Sequence, residues 1–327
     1  MTDADWRPAA CIATAQRRAA MLDRARRFFA EHDVLQVDTP SLSPAAVSDP
    51  HIDSLRTTLS LQRDTELFLR TSPEYAMKRL LSAGYPDIYE IARVYRDGEA
   101  GQRHQPEFTL IEWYRRGYSL DDIMQESIAL LTALLEPSRL QGSVVYRSYA
   151  AAFRELIDVD PVTADLDSLR RASAADGRLA AALGERRDGW LDLLLATRVA
   201  PRFESNCLTV LHHYPASQAA LARLDPQDPT VAERFEVFYG DLELANGFVE
   251  LADAAEQARR FARDLADRQS LDKLSAPLDN RLLAALKSGL PDCAGVAVGF
   301  ERLLMINEKS DDIRSVVTFP FDANWYP

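Results

Sequence analysis

The fold is decided by the stretch FLRTSPEYAMKRLLSAGYPDIYEIARVYRDGEAGQRHQPEFTLIEWYR, residues 68–115, together with GVAVGFER, residues 295–302. Within the first stretch, IYEIARVYR and FTLIEWYRR alternate between apolar and polar residues, which predicts two strands. The residues between them, 97–107, include two glycines and a proline and therefore indicate a loop. The second stretch predicts a strand that leads into a helix. We expect a strand-rich core flanked by helices.

These stretches also carry side chains that suit a nucleotide. Arginine offers a permanently charged fork for phosphate oxygens, so Arg96 and Arg302 are candidate phosphate ligands. Phe108 can stack on a base, and Gly295 and Gly299 let a nucleotide approach the backbone closely. Each feature alone has a simpler explanation: a solvated strand end, a core phenylalanine, or close strand packing. Their combination favours a nucleotide site.

A second candidate site consists of glutamates between residues 234 and 253. Asn246-Gly247 is a strong signal for a type I′ hairpin, which would place Glu243 opposite Glu250. A second turn at Tyr239-Gly240 would bring Glu236 opposite Glu243, so that three carboxylates form one row. Such a row favours bound cations, and the candidates are Mg²⁺ carried by ATP and a substrate ammonium. Solvated glutamates are the alternative, but the apolar neighbours favour a buried sheet.

Further carboxylates follow a helix start and a strand. Ser72-Pro73-Glu74 begins a helix well, because serine can cap, proline fits the first turn and glutamate complements the helix dipole. Glu112 and Tyr114 have the same parity, so both side chains lie on one face of their strand. For Glu74 alone, a simple charge at a helix start is the better explanation.

Bulk properties narrow the class of protein. A length of 327 residues fits one large or two modest domains. The net charge of −12 argues against broad nonspecific binding to nucleic acid, which needs a positive face. Cys11, Cys207 and Cys293 lack the spacing of a zinc site and suggest reduced thiols, hence a cytoplasmic location. We expect no signal peptide and no membrane span.

Two further segments, one before the first motif-bearing stretch and one after it, are predicted to be helical. Residues 14–32 have the apolar spacing of a helix, and VLQVDTP then predicts a short strand that ends at Pro40. Residues 119–205 are rich in alanine, leucine, aspartate and arginine and predict a helical insertion.

The motifs FLRTSPEYAMKRL, RHQPEFTLIEWY, RFEVFYGDLELANGFVEL and GVAVGFERL resemble the catalytic domain of class II lysyl-tRNA synthetases, from about residue 14 to about residue 306. The resemblance implies an α+β fold, a class II synthetase-type antiparallel sheet flanked by helices, as one catalytic domain over residues 1–327. It further implies a homodimer through residues 14–40. The chain is most similar to short paralogues without an anticodon-binding domain, which attach (R)-β-lysine to elongation factor P.

The resemblance also assigns roles to residues. Glu236 and Glu243 would hold Mg²⁺. Glu250, assisted by Tyr114, would take the distal amine of a lysine isomer, and Glu74 and Glu112 the amine near its carboxylate. The implied catalytic residues are Arg96, Glu243 and Arg302. The implied ATP-binding residues are Arg96, Asp97, Glu99, His104, Gln105, Phe108, Glu243, Leu244, Gly299 and Arg302. The implied substrate-binding residues are Ser72, Pro73, Glu74, Glu112, Tyr114, Glu250 and Ala297.

Three positions depart from the family pattern. The usual Arg-Asn-Glu is replaced by residues 96–99, Arg-Asp-Gly-Glu, so Glu99 is displaced by one residue as the candidate for reading adenine. Gln105 stands where asparagine is usual. Ala297 replaces a glycine, and its methyl group would narrow the amino-acid pocket and favour an amine one carbon further along.

The main prediction is an adenylating ligase that modifies elongation factor P and does not use tRNA. The sequence leaves three alternatives to this prediction. A minimal lysyl-tRNA synthetase would charge tRNA, although the acidic balance disfavours it. An amide synthetase would use a small amine such as ammonia. A regulatory paralogue would sense an amino acid without catalysis, but it should then lack Arg96, Glu236, Glu243 and Arg302.

Overall fold

A mixed sheet forms the centre of the molecule. The computed structural model describes residues 6–273 and 277–321. The strands within those residues are β1 (Leu35–Gln36), β2 (Leu42–Ser43), β3 (Arg56–Leu59), β4 (Gln62–Leu69), β5 (Ile88–Tyr95), β6 (Glu107–Arg116), β7 (Val145–Ser148), β8 (Leu208–Pro215), β9 (Val231–Tyr239), β10 (Leu242–Val249) and β11 (Cys293–Gly299). Eight of them form one sheet in the order β1-β5-β6-β11-β10-β9-β8-β7, and β2-β4-β3 form a smaller one.

Helices flank the large sheet. They are α1 (Ile12–Glu31), α2 (Glu74–Ser82), α3 (Leu120–Leu134), α4 (Tyr149–Ile157), α5 (Leu166–Ser173), α6 (Gly177–Leu183), α7 (Arg187–Leu194), α8 (Ala254–Ser270), α9 (Asn280–Gly289) and α10 (Phe300–Glu308). A π-helical turn, Leu195–Val199, extends α7. Across the described ranges 6–273 and 277–321, none of the helices combines the length and the apolar character needed to cross a bilayer.

The predicted α+β class is confirmed, and the sheet is antiparallel over its six inner strands. Only the edge strands are parallel, β1 to β5 and β7 to β8. The two strands predicted in the first stretch appear as β5 and β6, joined by the expected loop. The second stretch appears as β11 followed directly by α10.

The first predicted helix appears as α1 and packs through one face. Met21, Ala25 and Phe29 are buried there, as the 3.6-residue period requires. The ring of Phe29 stacks on Tyr89 of β5 with a centroid distance of 4.2 Å. This contact joins α1 to the main apolar core, which also contains Trp113 of β6. The helix therefore fixes the two strands that carry the first motif stretch.

Residues 119–205, predicted as one helical insertion, are divided between two cores. In α3, Leu130 and Leu131 are fully buried in the same core as Phe29. The strand β7 interrupts the helices and extends the edge of the large sheet, which the helical prediction did not anticipate. Helices α4, α5 and α7 surround a second apolar core that contains Trp190. This second core packs against the β8–β9 end of the sheet.

The predicted Asn246-Gly247 hairpin is wrong, because both residues lie within β10. A Cβ on Gly247 would come 2.7 Å from the Phe235 ring and 2.7 Å from Val296 Cγ2. Glycine is therefore needed for close strand packing, and the chain does not turn. The actual reversal joins β9 to β10 through residues 240–241, one position later than the predicted second turn.

The predicted row of three glutamates is wrong for the same reason. In the β9–β10 pairing, Glu236 lies opposite Asn246, and Glu243 lies opposite Phe238. Glu236 and Glu243 are thus diagonal neighbours across the two strands, a relation that spans roughly 7–8 Å. Glu250 follows the other end of β10, about 20 Å further along the strand direction. The carboxylates belong to two separate groups.

Candidate active site

A cavity of about 660 Å³ opens between the large sheet and helices α2, α7 and α8. Some of the predicted site residues line it, namely Ser72, Glu74, Arg96, Glu112, Tyr114, Glu250 and Ala297. A second group of predicted residues lies outside its lining, namely Pro73, Asp97, Glu99, His104, Gln105, Phe108, Glu236, Glu243, Leu244, Gly299 and Arg302. Arg96 connects the two groups, because it lines the cavity and also contacts Phe108.

Three carboxylates, those of Glu74, Glu112 and Glu250, lie together at the cavity, beside Tyr114 and Lys78. We call these five residues the amine pocket. Glu112 accepts hydrogen bonds from Ser72 Oγ and Tyr114 Oη, both at 2.7 Å. Ser72 Oγ also accepts from the Glu74 backbone N–H at 2.9 Å, although the N-cap residue of α2 is Pro73. The start of α2 and the face of β6 therefore hold these carboxylates together.

Gly295 of β11 allows this convergence. It lies opposite Tyr114 in the sheet register. A Cβ at this position would come 2.4 Å from the Tyr114 ring and 2.8 Å from Glu250 Oε1. Any side chain here would displace the tyrosine, the carboxylate or both. The glycine that the sequence singled out for close approach thus brings two protein side chains together.

Burial shifts the ionisation of the amine pocket. Loss of solvation, reinforced by the negative charge of Glu74, raises the pKa of Glu112 to about 8. Loss of solvation likewise raises the pKa of Glu250 to about 8, and the ammonium of Lys78 opposes that rise. Lys78 Nζ lies 2.6 Å from Glu74 Oε1 and 2.5 Å from Glu250 Oε2. Glu74 and Glu250 thus share one ammonium, whereas Glu112 is held only by hydroxyl groups. The pocket therefore suits additional positive charge.

The second group includes two basic residue types close together, Arg302 and His104, which with Arg96 we call the basic group. Arg302, in the first turn of α10, donates from Nη1 to the Glu243 carbonyl at 2.7 Å and lies 3.4 Å from Glu243 Oε2. Its Nη2 lies 2.9 Å from His104 Nε2. Burial and the Arg302 charge lower the pKa of His104, so the neutral ring can accept this hydrogen bond. Arg302, His104 and Glu243 therefore lie together, as the nucleotide hypothesis requires.

Arg96 and Phe108 form a cation–π contact. The Arg96 guanidinium carbon lies 5.1 Å from the Phe108 ring centroid, and Arg96 Nη1 lies 3.6 Å from Glu99 Oε1. A base that stacks on Phe108 would therefore use the face opposite Arg96. The neighbouring Asp97 is exposed, and its backbone pairs with Asp53.

Four other predicted residues have mainly structural contacts. Gln105 is buried, and its Oε1 accepts from the Phe321 backbone N–H at 2.7 Å. The Leu244 side chain belongs to the main core, so only its backbone could meet a nucleotide. Pro73 precedes α2 and lines a neighbouring cavity of about 580 Å³, and Gly299 precedes α10. Their predicted binding roles stay predictions.

Glu236 is held by a residue that the sequence reasoning missed. Arg234 Nη2 lies 2.6 Å from Glu236 Oε1, and Arg234 Nε donates to Asn246 Oδ1 at 3.2 Å. Burial and the nearby charge of Glu243 raise the pKa of Glu236. No cluster of three or more histidine, cysteine, aspartate or glutamate side chains suited to a metal occurs in residues 6–273 and 277–321. A cation here would rest on two carboxylates.

Lys78 and Gln257 were also missed. Gln257 of α8 lines the cavity and is 1% exposed, and its Oε1 has no hydrogen-bond partner within the described part of the chain. One signal was available for Lys78, which is one of only four lysines in a chain with 38 basic residues. Gln257 gave no signal, because a glutamine in an amphipathic helix resembles any surface residue.

The fold and this pairing of a basic group with a buried carboxylate pocket define a class II synthetase-type domain. A family model described as tRNA synthetases class II (D, K and N) matches residues 4–323, and the chain belongs to this family. Its curated relatives include proteins named elongation factor P–(R)-beta-lysine ligase. Those of Proteus mirabilis and Vibrio cholerae are each 42% identical, over 97% and 98% of this chain and 98% and 99% of their own lengths. That of Edwardsiella ictaluri is 43% identical over 98% of both chains.

Glu112 should make the protein less stable as pH rises. Its folded-state pKa of about 8 exceeds the ordinary value of 4.5, so folding takes up a proton between these values and the unfolding free energy falls with pH. In Glu112→Gln this fall should be smaller by a few kcal/mol, since one pKa unit is worth about 1.4 kcal/mol. Urea unfolding at pH 5.5 and 8 measures the difference.

Glu107→Gln serves as the control, because Glu107 is exposed at the start of the same strand. It should keep the pH dependence of the wild-type protein. Equal pH dependence in Glu112→Gln and wild type would contradict the ionisation assigned to Glu112.

Proposed function

We propose that this chain is an ATP-dependent ligase that activates (R)-β-lysine as an acyl-adenylate and transfers the acyl group to a lysine side chain of elongation factor P. The observation that carries the proposal is the amine pocket, where the buried Glu112 and Glu250 lie with the half-buried Glu74 and the single ammonium of Lys78 pairs with only two of these carboxylates. The names of the relatives, which match over nearly their whole length, support the same substrate and acceptor.

The charge of the amine pocket favours a substrate with two ammonium groups. A buried carboxylate without a partner is costly, and one ammonium cannot satisfy Glu74, Glu112 and Glu250 together. A lysine isomer would bring two positive charges, one at each end of its carbon chain. Glu250 with Tyr114 would take the distal amine, and Glu74 with Glu112 the amine near the carboxylate. The substrate carboxylate would then face Arg96, at the connection to the basic group.

The basic group suits the phosphates of ATP. Arg96 and Arg302 would bind phosphate oxygens through their guanidinium forks, and Phe108 would stack on the adenine. Glu243 and Glu236 fit a Mg²⁺ ion, because the nearby charge of Glu243 raises the pKa of Glu236 and a cation would relieve this repulsion. Glu236 would contribute Oε2, since Arg234 holds Oε1. When bound, Mg²⁺ would neutralise phosphate charge.

The proposed chemistry needs positioning more than a protein nucleophile. Arg96 would orient the substrate carboxylate toward the α-phosphorus of ATP and balance the charge that develops there. A bond forms between the carboxylate oxygen and phosphorus, and pyrophosphate leaves. The acceptor amine then attacks the acyl carbon, an amide forms and AMP leaves. Gln105 and Leu244 have no assigned part in these steps.

Ala297 supports the choice of the β isomer. It lines the cavity and lies opposite Glu112 in the sheet register. Its methyl group therefore narrows the pocket beside the carboxylate that would take the amine near the reacting end. One methyl group is worth about 1–3 kcal/mol of discrimination, so α-lysine would be a poor substrate. Ala297→Gly should shift the preference toward α-lysine.

We further propose a homodimer through residues 14–40 and the segments beside them. Ile12 of α1, Leu35 of β1 and Leu42 of β2 are large, apolar and exposed on the single chain, which favours self-association. A cytoplasmic location is supported by Cys11, Cys207 and Cys293, which are free thiols.

Pyrophosphate exchange tests the activation step. Arg302→Ala and Glu243→Gln should each lower exchange on the order of 10²-fold or more, because each removes a preorganised charge at the phosphates. Arg56→Ala and Glu66→Gln are the matched controls, since this exposed ion pair lies on the small sheet. Exchange with α-lysine and β-lysine is measured in parallel. Full exchange in either folded site variant would contradict the assignment.

Acyl transfer tests the acceptor. Radiolabelled (R)-β-lysine should become attached to elongation factor P and not to bulk tRNA. The control is elongation factor P in which the acceptor lysine is replaced by arginine, which stays protonated and is not a nucleophile. Charging of tRNA without labelling of elongation factor P would instead support a minimal synthetase.

Sedimentation velocity tests the dimer. Leu35→Arg should convert a dimer into a monomer at micromolar concentration, because it places a charge in an apolar contact. Leu61→Arg is the control, since Leu61 is also a leucine and is more exposed than Leu35 but lies outside the proposed interface. A wild-type monomer at this concentration would rule out the proposed interface.

A further inference from the structure

Lys78 is the most enclosed charged side chain of the amine pocket. It lies on α2 and is 1% exposed, and its Nζ bridges Glu74 Oε1 at 2.6 Å and Glu250 Oε2 at 2.5 Å. The same Nζ lies 5.5 Å from the centroid of the Phe248 ring, which lines the cavity. A buried ammonium is costly unless it is paired, so its position calls for an explanation beyond packing.

We propose that Lys78 is a positioning residue for the amino-acid substrate: its ammonium holds Oε2 of Glu250, so that Oε1 faces the cavity and takes the distal amine. The inference rests on the proposed function, because it assigns the distal amine of a diamino acid to Glu250.

The two oxygens of Glu250 have different surroundings. Oε2 contacts the Lys78 ammonium. Neither oxygen has a hydrogen bond within the described ranges, so the ion pair with Lys78 is what distinguishes Oε2. Oε1 instead lies at the bare Cα of Gly295, beside the Tyr114 ring. Tyr114 Oη donates to Glu112, so its lone pairs remain able to accept a hydrogen bond from an ammonium. Glu250 and Tyr114 both line the cavity, so Oε1 and Tyr114 Oη are two acceptors that an ammonium in the cavity could use.

The charged groups around Glu250 come from three elements. Lys78 and Glu74 face it from α2, Glu112 and Tyr114 from β6, and the buried thiol of Cys293 from β11. Helix α8 contributes the neutral Gln257 and, along the same cavity, the charged Arg260, Arg263 and Asp264. The ammonium of Lys78 is the main charge that opposes the rise in the pKa of Glu250 to about 8.

This arrangement links Lys78 to the pH dependence of substrate binding. An ammonium binds Glu250 well only when the carboxylate is ionised, so the KM for the diamino acid should fall as pH rises through about 8. Without the Lys78 charge, Glu250 would lose its proton at a higher pH. The pH at which the KM falls should then be higher. A residue that only fills space in the core would not move this profile.

The experiment compares Lys78→Met and Lys78→Arg with the wild-type protein by pyrophosphate exchange between pH 6.5 and 9. Lys78→Met should raise the KM for (R)-β-lysine at least 10-fold at pH 7.5, shift its pH profile upward and leave the KM for ATP within about twofold. Lys78→Arg keeps the charge and should keep the pH profile, with a smaller rise in KM. Lys287→Met is the control, because Lys287 is exposed on α9.

A double variant adds a test that does not depend on whether the single variant Lys78→Met folds normally. If Lys78 acts through Glu250, adding Lys78→Met to Glu250→Gln should change the KM no further, whereas independent effects would multiply. Multiplied effects, or an unchanged KM and pH profile in Lys78→Met or an upward-shifted profile in Lys78→Arg, would overturn the inference. Wild-type protein without exchange for any lysine isomer would overturn the proposed function itself.

Discussion

The close approach of β6, β11 and β10 at the centre of the sheet is the constraint on which the rest of the structure depends. Gly295 and Gly247 have no space for a Cβ, so side chains from the adjacent strands meet across the positions that these glycines leave bare. Tyr114 and Glu250 converge at the first, and Phe235 and Val296 pack at the second. One strand register thus determines both the site geometry and the packing beneath it.

The site contains two groups of charged residues along the sheet. Arg302 and His104 lie beside Glu243 where β10 begins and α10 starts. The carboxylates of the amine pocket lie beyond the other end of β10, against α2. A folded chain gains nothing by burying Glu112 and Glu250 with a single ammonium, because the repulsion and the lost hydration oppose folding. Such an arrangement is expected where a ligand completes the charge balance. The packing of the main core offsets the stability that these buried carboxylates remove from the folded protein.

The sequence predicted the elements whose signals are local and repeated. Strands β5 and β6 and helix α1 have apolar periods that predict their secondary structure, and the class II motifs predicted the residues of the site. The prediction failed at Gly247, because a glycine required by close packing has the same local signal as a glycine in a turn. Lys78 was missed because a glutamate four residues before a lysine is typical of an exposed helical pair. Its burial results from contacts with Phe248 of β10 and with Glu250, which no local pattern contains.

The scarcity of lysine has a consequence for the chemistry of an acyl-transferring protein. An activated acyl group reacts with any accessible neutral amine, and the protein that produces it is the nearest source of amines. Among 38 basic residues, nearly all are arginine, whose guanidinium stays protonated and does not act as a nucleophile. Lys78 is enclosed and Lys273 is paired with Asp53 at 2.8 Å. Lys287 and Lys309 are the two exposed lysines, so an activated acyl group would meet few lysine amines on this protein.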